Sequence, residues 1–200
     1  MTRAIIPSRD AGYFATLYAA NPDPWNFSAS AYEHRRYQAT MAALEDIVVG
    51  NAFEIGCSIG ILTGILAPRC TSLFAVDIVE SALAAAKLHC AGMPHVTFAN
   101  RHVPEQWPVG QKFDLILISE VLYFLTPTDI ARVAAQVVTS LSPNGTVLLV
   151  NYTEPVDEPS NGDQAADIFI AASHAALRVS LQQRHPKFRI DRLQQYSNSK

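Results

Sequence analysis

The sequence predicts an α/β fold, in which a central and mostly parallel sheet of seven strands carries helices on both faces and an antiparallel hairpin at one edge. From residue 51 onward, short apolar segments alternate with segments of helical periodicity, a pattern typical of parallel strands joined by crossover helices. Segment 112–119 is almost wholly apolar, as expected for a strand that is covered on both faces. Segments 178–183 and 188–196 alternate apolar with polar residues, which predicts the edge hairpin.

A helical segment over residues 1–49 precedes the predicted sheet. Its first helix is expected at 10–20 and ends before NPDP, because two prolines in three residues cannot continue a helix. Ser30 stands three residues before Glu33, the spacing of a capping box, so a second helix is expected to begin near Ala31. Four residues at helical spacing are predicted to face the core from this helix: Tyr37, Met41, Leu44 and Val48.

The elements of the sheet region follow one another in the order that a parallel sheet requires. Helix ends are indicated by Pro68 after the first crossover helix, and by Thr126 with Pro127 at the start of the third. The predicted strands are 51–56, 71–77, 95–100, 112–119 and 143–152. The predicted helices are 59–67, 79–91, 126–141 and, beyond the fifth strand, 162–177.

Composition and charge narrow the classes of function. Charged residues make up 16% of the chain and its formal net charge is −3, with no dense basic run, so no nucleic-acid partner is expected. The cysteines Cys57, Cys70 and Cys90 have no paired spacing and are expected to be reduced thiols of a cytoplasmic protein. No metal site, signal peptide or membrane-spanning stretch is expected. The chain is expected to be a monomer or a weak dimer.

A glycine-rich stretch, FEIGCSIGILTGILA over residues 53–67, joins the first predicted strand to its helix. Its glycines Gly56, Gly60 and Gly64 lie four residues apart, so the stretch lacks the GxGxxG spacing that admits a pyrophosphate. Glu54 precedes the first glycine and would place negative charge beside any phosphate, which favours a cationic cofactor instead. The alternative is that Gly60 and Gly64 only permit close packing of the helix.

The motif EIGCSIG resembles the nucleotide-binding signature of the class I S-adenosylmethionine-dependent methyltransferases. Asp77 ends the second predicted strand 17 residues after Gly60, and the segments SEVLYFL and LSPNGTVLLV resemble the family's motifs after strand four and before strand five. The resemblance spans about residues 50 to 151 and implies a Rossmann-like fold. It also implies S-adenosyl-L-methionine as cofactor, S-adenosyl-L-homocysteine as product, and a hydrogen bond from each ribose hydroxyl to Asp77.

The resemblance further implies which residues contact the cofactor. The glycine turn would lie beneath its amino-acid portion and ribose, while the position that meets the adenine amino group is His102 instead of the family's more common aspartate. Arg36 would pair with the carboxylate of the cofactor's amino-acid tail; the alternative is a surface residue bonded to Glu33. The implied cofactor-binding residues are Trp25, Tyr32, Arg36, Glu54, Gly56, Cys57, Ser58, Gly60, Asp77, Ile78, Arg101, His102, Val103, Ser119, Glu120 and Leu122.

The N-terminal segment resembles that of the NodS group, the N-methyltransferases of nodulation-signal synthesis. The shared elements are D-P-W at 23–25 and Y-E-x-x-R-Y at 32–37. The resemblance implies methyl transfer to the free amine of the non-reducing-end glucosamine of a deacetylated chitooligosaccharide. The single domain over 1–200 is expected to have three parts: a lid and substrate segment over 1–49, a cofactor-binding core over 50–152, and a C-terminal helix with the edge hairpin over 153–200.

Catalysis is expected to depend on Glu120, which follows strand four near the methyl position and would orient the amine and accept its proton. The alternative is that its side chain caps the following turn or contacts the cofactor. Tyr123 is the second candidate catalytic residue. Trp25 is expected either to contact sugar or to anchor the lid to the core. The candidate substrate residues are Trp25, Tyr123, Tyr152 and Glu154.

Two other functions stay open at the level of the sequence. One is a methyltransferase that acts on a different small molecule, at nitrogen or at oxygen. The other is a protein that binds S-adenosylmethionine without transferring its methyl group. A nucleic-acid methyltransferase is disfavoured, because SEVLY lacks the N/D-P-P-Y/F run that holds a flipped base.

Overall fold

A computed structural model describes residues 6–196 as one seven-stranded sheet with helices packed on it. Residues 1–5 and 197–200 lie outside the described residues, and with them the ends of the predicted lid and C-terminal segments. The strands are β1 (Val49–Ile55), β2 (Cys70–Asp77), β3 (Val96–Asn100), β4 (Phe113–Ser119), β5 (Leu141–Tyr152), β6 (Leu177–Arg184) and β7 (Phe188–Gln195). The helices are α1 (Ala11–Ala20), α2 (Ala31–Ala42), α3 (Ile61–Leu66), α4 (Glu80–His89), α5 (Pro127–Ser140) and α6 (Gly162–Ser173), with short 3-10 turns at Ala67–Arg69 and Leu122–Phe124.

The strand order β3-β2-β1-β4-β5-β7-β6 confirms the predicted architecture. Strands β1 to β5 pair in parallel, with Phe53 of β1 beside Phe74 of β2 and Ile116 of β4. β7 pairs antiparallel with both β5 and β6, so the predicted hairpin extends the sheet at one edge. The chain adds β2 and β3 on one side of β1 and then crosses over to place β4 on the other side. At this reversal of strand order a crevice opens at the carboxyl ends of β1, β2 and β4.

The first two helices begin at capping residues, at the positions where the sequence predicts their starts. Asp10 Oδ1 accepts from the Tyr13 N–H at 2.9 Å, and Ser30 Oγ accepts from the Glu33 N–H at 3.4 Å. The capping box is half formed, because the Glu33 carboxylate bonds Arg36 instead of the Ser30 N–H. The Glu33 side chain is thereby directed away from the helix end.

The prediction that Val48 faces the core is wrong. α2 ends at Ala42, and Val48 lies in the connection to β1 with 93% of its surface exposed, whereas Leu44 is buried. The guanidinium groups of Arg69 and Arg192, which come from distant elements, donate to carbonyls at and just beyond the last turn of α2. These carbonyls are therefore satisfied without a further helical turn, and the helical periodicity stops before Val48.

Apolar side chains cover both faces of the sheet, as the composition of β4 predicts. Ile116 and Ile118 pack in one cluster with residues of α5 and α6, whereas Leu115 and Leu117 pack in another with residues of α2 and α3. All four side chains are completely buried. The sheet is thus fixed between helical layers, and its strand ends are left to shape a site.

Gly60 provides the close helix packing that the sequence offers as one alternative. It begins α3 with φ = +84°, a left-handed conformation that residues with side chains rarely adopt. A Cβ atom there would lie 2.9 Å from both Cα and Cβ of Ala86 in α4. The missing side chain therefore lets α3 and α4 lie against each other.

Replacing Gly60 with alanine is expected to destabilise the fold by about 1–3 kcal/mol, through backbone strain and the contact with Ala86. The control is Gly92→Ala, because an added Cβ there would meet no atom within 4 Å. Its stability should change by less than about 0.5 kcal/mol. Free energies of unfolding from urea titrations measure both effects, and equal stability of the two variants would contradict the packing role of Gly60.

Candidate functional site

A cavity of about 520 Å³ opens at the carboxyl ends of β1, β2 and β4, beside the N-terminal segment. Its lining comes from the turn between β1 and α3, from α1 and α2, and from the segments that follow β2, β3, β4 and β5. This crevice is where α/β sheets with a reversal of strand order bind ligands. Its volume is typical of a site for a small molecule.

The structure brings most of the predicted site residues together in this cavity. Three do not line it: Gly60 packs against α4, Leu122 is completely buried in the core, and Glu154 lies on the loop after β5. Those that line the cavity are Trp25, Tyr32, Arg36, Glu54, Gly56, Cys57, Ser58, Asp77, Ile78, Arg101, His102, Val103, Ser119, Glu120, Tyr123 and Tyr152. Their roles towards a ligand stay predictions.

The glycine turn is fixed by backbone hydrogen bonds. Gly56 and Cys57 donate their N–H groups to the Val76 carbonyl at 2.8 and 3.0 Å, which joins the turn to β2. Gly56 has φ = +78°, and a Cβ there would lie 2.3 Å from a methyl group of Val121. Glycine alone fits, so the backbone of the turn borders the cavity with no side chain in between.

Asp77 ends β2 and ties the glycine turn to the start of α4. Its Oδ2 accepts from the Ser58 N–H and its Oδ1 from the Val79 N–H, each at 2.9 Å. Burial raises the pKa of this carboxyl group, and the backbone donors act against that rise. Each oxygen retains a further acceptor site, so Asp77 is able to accept from a diol as well.

Glu54, the acid before the turn, is a buried carboxyl group in the cavity wall. It is 2% exposed, and its Oε2 has no hydrogen-bond partner within residues 6–196. Burial raises its pKa to about 7; the nearby Thr63 hydroxyl acts against that rise, and the charge of Asp77 adds to it. Its unpartnered oxygen is thus a polar group in the cavity wall that a ligand could bond in addition to the Thr63 hydroxyl.

Glu120 follows β4 in a strained conformation and lines the cavity. Its φ is +61°, in the left-handed region, and its N–H donates to the Val150 carbonyl at 2.8 Å. Its Oε2 accepts from the Tyr123 hydroxyl at 2.8 Å, while its Oε1 lies 2.8 Å from Arg36 Nη1. Backbone strain at a carboxylate that is held through both oxygens is typical of a functional position.

Arg36 lies in the cavity wall instead of on the surface. It is 2% exposed, and its Nε donates to Glu33 Oε2 at 3.0 Å in addition to the ion pair with Glu120. Burial acts to lower the pKa of Arg36, but the charges of Glu120 and Glu33 outweigh burial and raise it. The bond to Glu33 is therefore confirmed and the surface position is wrong, while pairing with a ligand carboxylate stays a prediction.

Aromatic side chains from the N-terminal segment cover part of the cavity. Trp25 packs edge-to-face on Tyr18 with 5.7 Å between ring centroids, so it anchors the segment and also lines the cavity. Tyr32 packs edge-to-face on Tyr152 at 6.2 Å, and its hydroxyl has no hydrogen-bond partner among the described residues. Burial and the charge of Glu120 raise the pKa of the Tyr32 phenol. This hydroxyl is a second polar group available to a ligand.

Among the cavity-lining residues that sequence reasoning missed, four are joined by polar contacts: Arg9, Tyr13, Tyr18 and Glu158. The Tyr18 hydroxyl bonds the Ser58 hydroxyl, which joins α1 to the glycine turn. Glu158 pairs with Arg9 at 2.6 Å and accepts from the Tyr13 hydroxyl at 2.9 Å. The aromatic run YFATLY is a usable signal for the two tyrosines, whereas no local pattern relates Arg9 to a residue 149 positions away.

The cavity carries more acidic than basic side chains. The carboxyl groups are Glu33, Glu54, Asp77, Glu120 and Glu158, and the guanidinium groups are Arg9, Arg36 and Arg101. The lining therefore favours a cationic ligand over an anionic one. Residues 6–196 contain no cluster of metal-ligating side chains and no helix suited to crossing a membrane.

The chain is similar in sequence to nodulation proteins. The family model described as nodulation protein S (NodS) matches residues 16–185. Nodulation protein S of Bradyrhizobium diazoefficiens is 28% identical over 82% of this chain and 78% of its own length. The corresponding proteins of Sinorhizobium fredii and Rhizobium tropici are 35% and 31% identical over 63% of this chain, and the matches span 59% and 53% of their own lengths.

Solved structures share the fold. The N-methyltransferase NodS of Bradyrhizobium japonicum, in complex with S-adenosyl-L-homocysteine, aligns with a TM-score of 0.79 at 22% identity, over 94% of this chain and 100% of that one. The DhpI complex with S-adenosyl-L-homocysteine aligns with a TM-score of 0.75 at 16% identity, over 93% and 95%. These likenesses confirm the predicted Rossmann-like fold of the class I methyltransferases.

The buried carboxyl group of Glu54 predicts a stability that depends on pH. Its pKa is raised in the fold from 4.5 to about 7, so between these values the folded state binds a proton that the unfolded state releases. The stability that neutral Glu54 contributes is fully present below pH 4.5 and is lost as pH rises through 7. Relative to Glu54→Gln, the wild-type protein is expected to lose about 2–3 kcal/mol between roughly pH 5 and pH 8.

Urea titrations of both proteins across that pH range measure this difference. Glu80→Gln is the matched control, because the Glu80 side chain is 72% exposed on α4. A difference between wild type and Glu54→Gln that stays constant with pH would contradict the raised pKa.

Proposed function

The chain belongs to the NodS family, and from this premise we propose that it is an S-adenosylmethionine-dependent N-methyltransferase. Its proposed acceptor is the free amine of the non-reducing-end glucosamine in a deacetylated chitooligosaccharide. One observation carries the proposal: a single cavity is lined both by the glycine turn with Asp77 and by the Glu120 carboxylate. A site for a nucleoside and a group suited to an amine thus share one volume.

The residues around the turn fit S-adenosylmethionine. The two Asp77 oxygens suit the ribose diol, and Gly56 lets the ligand approach the backbone. The unpartnered Glu54 oxygen and the excess of carboxyl groups suit a cation. When bound, S-adenosylmethionine supplies an electrophilic methyl group on a positively charged sulfur. The residues proposed to border its adenine are Arg101, His102 and Val103.

The wall around Glu120 favours an amine acceptor over a hydroxyl acceptor. An amine attacks as a neutral group and becomes positive, whereas a hydroxyl group must lose its proton and approach with negative charge. Two carboxylates, Glu33 and Glu120, share the guanidinium group of Arg36 in this wall, so the three groups carry a net negative formal charge. That charge stabilises the amine reaction and opposes an alkoxide, which argues against the alternative of an O-methyltransferase.

Aromatic residues near Glu120 suit a sugar. Tyr32, Tyr123 and Tyr152 line the cavity, where their rings offer apolar surface to a pyranose and their hydroxyl groups offer polar contacts. The Tyr32 hydroxyl, which lacks a partner in the described part of the chain, is proposed to bond the acceptor. The terminal sugar would then lie with its amine at Glu120.

Residues 6–49 are proposed to act as a lid. The Tyr18–Ser58 bond joins α1 to the glycine turn, and the Arg9–Glu158 pair joins the N-terminal segment to the loop after β5. A closed cover of this kind aligns the two reactants and keeps water from the reacting atoms.

The free cysteines among the described residues support the proposed cytoplasmic location.

Substitution of Asp77 by asparagine is expected to weaken S-adenosylmethionine binding by about tenfold or more, because a hydrogen bond to a charged acceptor contributes roughly 1.5–3 kcal/mol. The exposed acid Glu80, replaced by glutamine, is the control and should leave binding unchanged. Isothermal titration calorimetry measures both dissociation constants. An unchanged constant in a folded Asp77→Asn protein would remove the ribose assignment.

Transfer of an isotope-labelled methyl group tests the acceptor. With labelled S-adenosylmethionine, we expect label on the amine of a deacetylated chitooligosaccharide and none on the fully acetylated oligosaccharide of the same length, whose amide nitrogen is a poor nucleophile. Equal labelling of both would contradict an amine acceptor. Tight binding of S-adenosylmethionine without transfer to any amine would favour the alternative of a binding protein.

A further inference from the structure

We propose that Arg36 is a positioning residue, which holds the Glu120 carboxylate against the acceptor amine so that its charge stabilises the positive charge that builds on nitrogen. The inference rests on the proposed function and adds a specific arrangement to it. Glu120 then acts through its charge and orientation, and Arg36 acts through Glu120.

The contacts of Glu120 fix its orientation from two sides. Arg36 Nη1 lies 2.8 Å from Oε1, and the Tyr123 hydroxyl donates to Oε2 at 2.8 Å. The left-handed backbone at Glu120, with φ = +61°, further restricts where the side chain points. Arg36 is itself held from the opposite side by Glu33, whose Oε2 accepts from Nε at 3.0 Å. The chain Glu33–Arg36–Glu120 is therefore a braced arm that ends in a cavity-lining carboxylate.

The negative charge of this arm stabilises the transition state of methyl transfer more than it stabilises the bound substrate. Two carboxylates and one guanidinium group leave one negative formal charge in a wall where Arg36 is 2% exposed. As the amine nitrogen forms its bond to the methyl carbon, the carbon–sulfur bond breaks and sulfur keeps that electron pair. The positive charge moves from sulfur to nitrogen, and the extra proton on nitrogen leaves to water after transfer. A fixed negative group at the nitrogen thus stabilises the transition state more than the neutral amine.

The Tyr32 hydroxyl gives a second, independent indication that this wall receives a ligand. Tyr32 precedes Arg36 by one helical turn, so both side chains project from the same face of α2. Its hydroxyl is buried without a hydrogen-bond partner in the described structure, and it lines the same cavity. A buried polar group is satisfied when a ligand atom bonds to it, which places the acceptor beside the arm.

Kinetics of four variants test the inference. Glu120→Gln removes the charge, and the double variant Glu33→Gln/Arg36→Gln keeps the formal charge of −1 on Glu120 but removes its brace. We expect both to lower kcat by about 100-fold, the size of effect seen when a fixed transition-state contact is lost. Arg36→Lys keeps a cation but not the planar fork that contacts both carboxylates, so its kcat should lie between those of the double variant and wild type. Arg35→Gln, on an exposed neighbour in α2, is the matched control and should not change kcat.

Thermal unfolding is measured for each variant to show that it is folded, because Arg36 and Glu120 are themselves predicted to contact the cofactor. Wild-type kcat in the double variant would overturn the inference, because net charge alone would then suffice. A kcat of Arg36→Lys no higher than that of the double variant would also overturn it.

A structural readout separates this inference from the proposed function. In crystals with S-adenosyl-L-homocysteine, the Glu120 carboxylate should keep its contact with Tyr123 in wild type and Arg36→Lys, and should turn away in the double variant. An unchanged Glu120 position in the double variant refutes the positioning role, whether or not the protein methylates its substrate. A wild-type protein that methylates no amine, with Glu120 displaced in the double variant as expected, refutes the proposed function and leaves the brace in place.

Discussion

The interaction on which the site depends is the pair of hydrogen bonds that the Asp77 carboxylate accepts from the Ser58 and Val79 N–H groups. These bonds join the end of β2 to the glycine turn on one side and to the start of α4 on the other. The turn also carries the Ser58 hydroxyl that Tyr18 contacts, so the N-terminal segment is held through the same point. One carboxylate therefore links the turn, the crossover helix and, through Ser58, the cover of the cavity.

Several ionisable groups are buried around the cavity, and they differ in how fully hydrogen bonds and opposite charges compensate them. Asp77 has fixed backbone donors and Arg36 has two carboxylates, as buried ionic groups require. Glu54 keeps an oxygen without a partner in the described structure, and the cavity as a whole has more carboxyl than guanidinium groups. A cation would relieve both deficits. The proposed cofactor and the methylated amine each carry one, and during transfer the charge would pass from one part of the same acidic cavity to another.

Some of the site residues that the sequence predicted have positions set by the sheet. Glu54 and Asp77 end adjacent parallel strands, so their side chains had to meet at the same edge once the strand order was known. The identity of Gly56 as a required glycine followed from the turn between strand and helix. The Arg36–Glu120 and Arg9–Glu158 pairs could not be predicted in this way, because they depend on how the N-terminal segment folds back over the strand ends.

By itself the sequence determined most of the strands and helices, their succession along the chain and a sheet covered on both faces. It could do so because side-chain periodicity, caps and prolines act within a few residues. Only the tertiary structure decided that Val48 is exposed, that Gly60 serves helix packing, that Leu122 is core and that Arg36 is a buried partner of Glu120. The physical reason is that burial and ion pairing depend on which distant segments come to lie together. That arrangement is set by the packing of the whole chain and has no signature in the local spacing of residues.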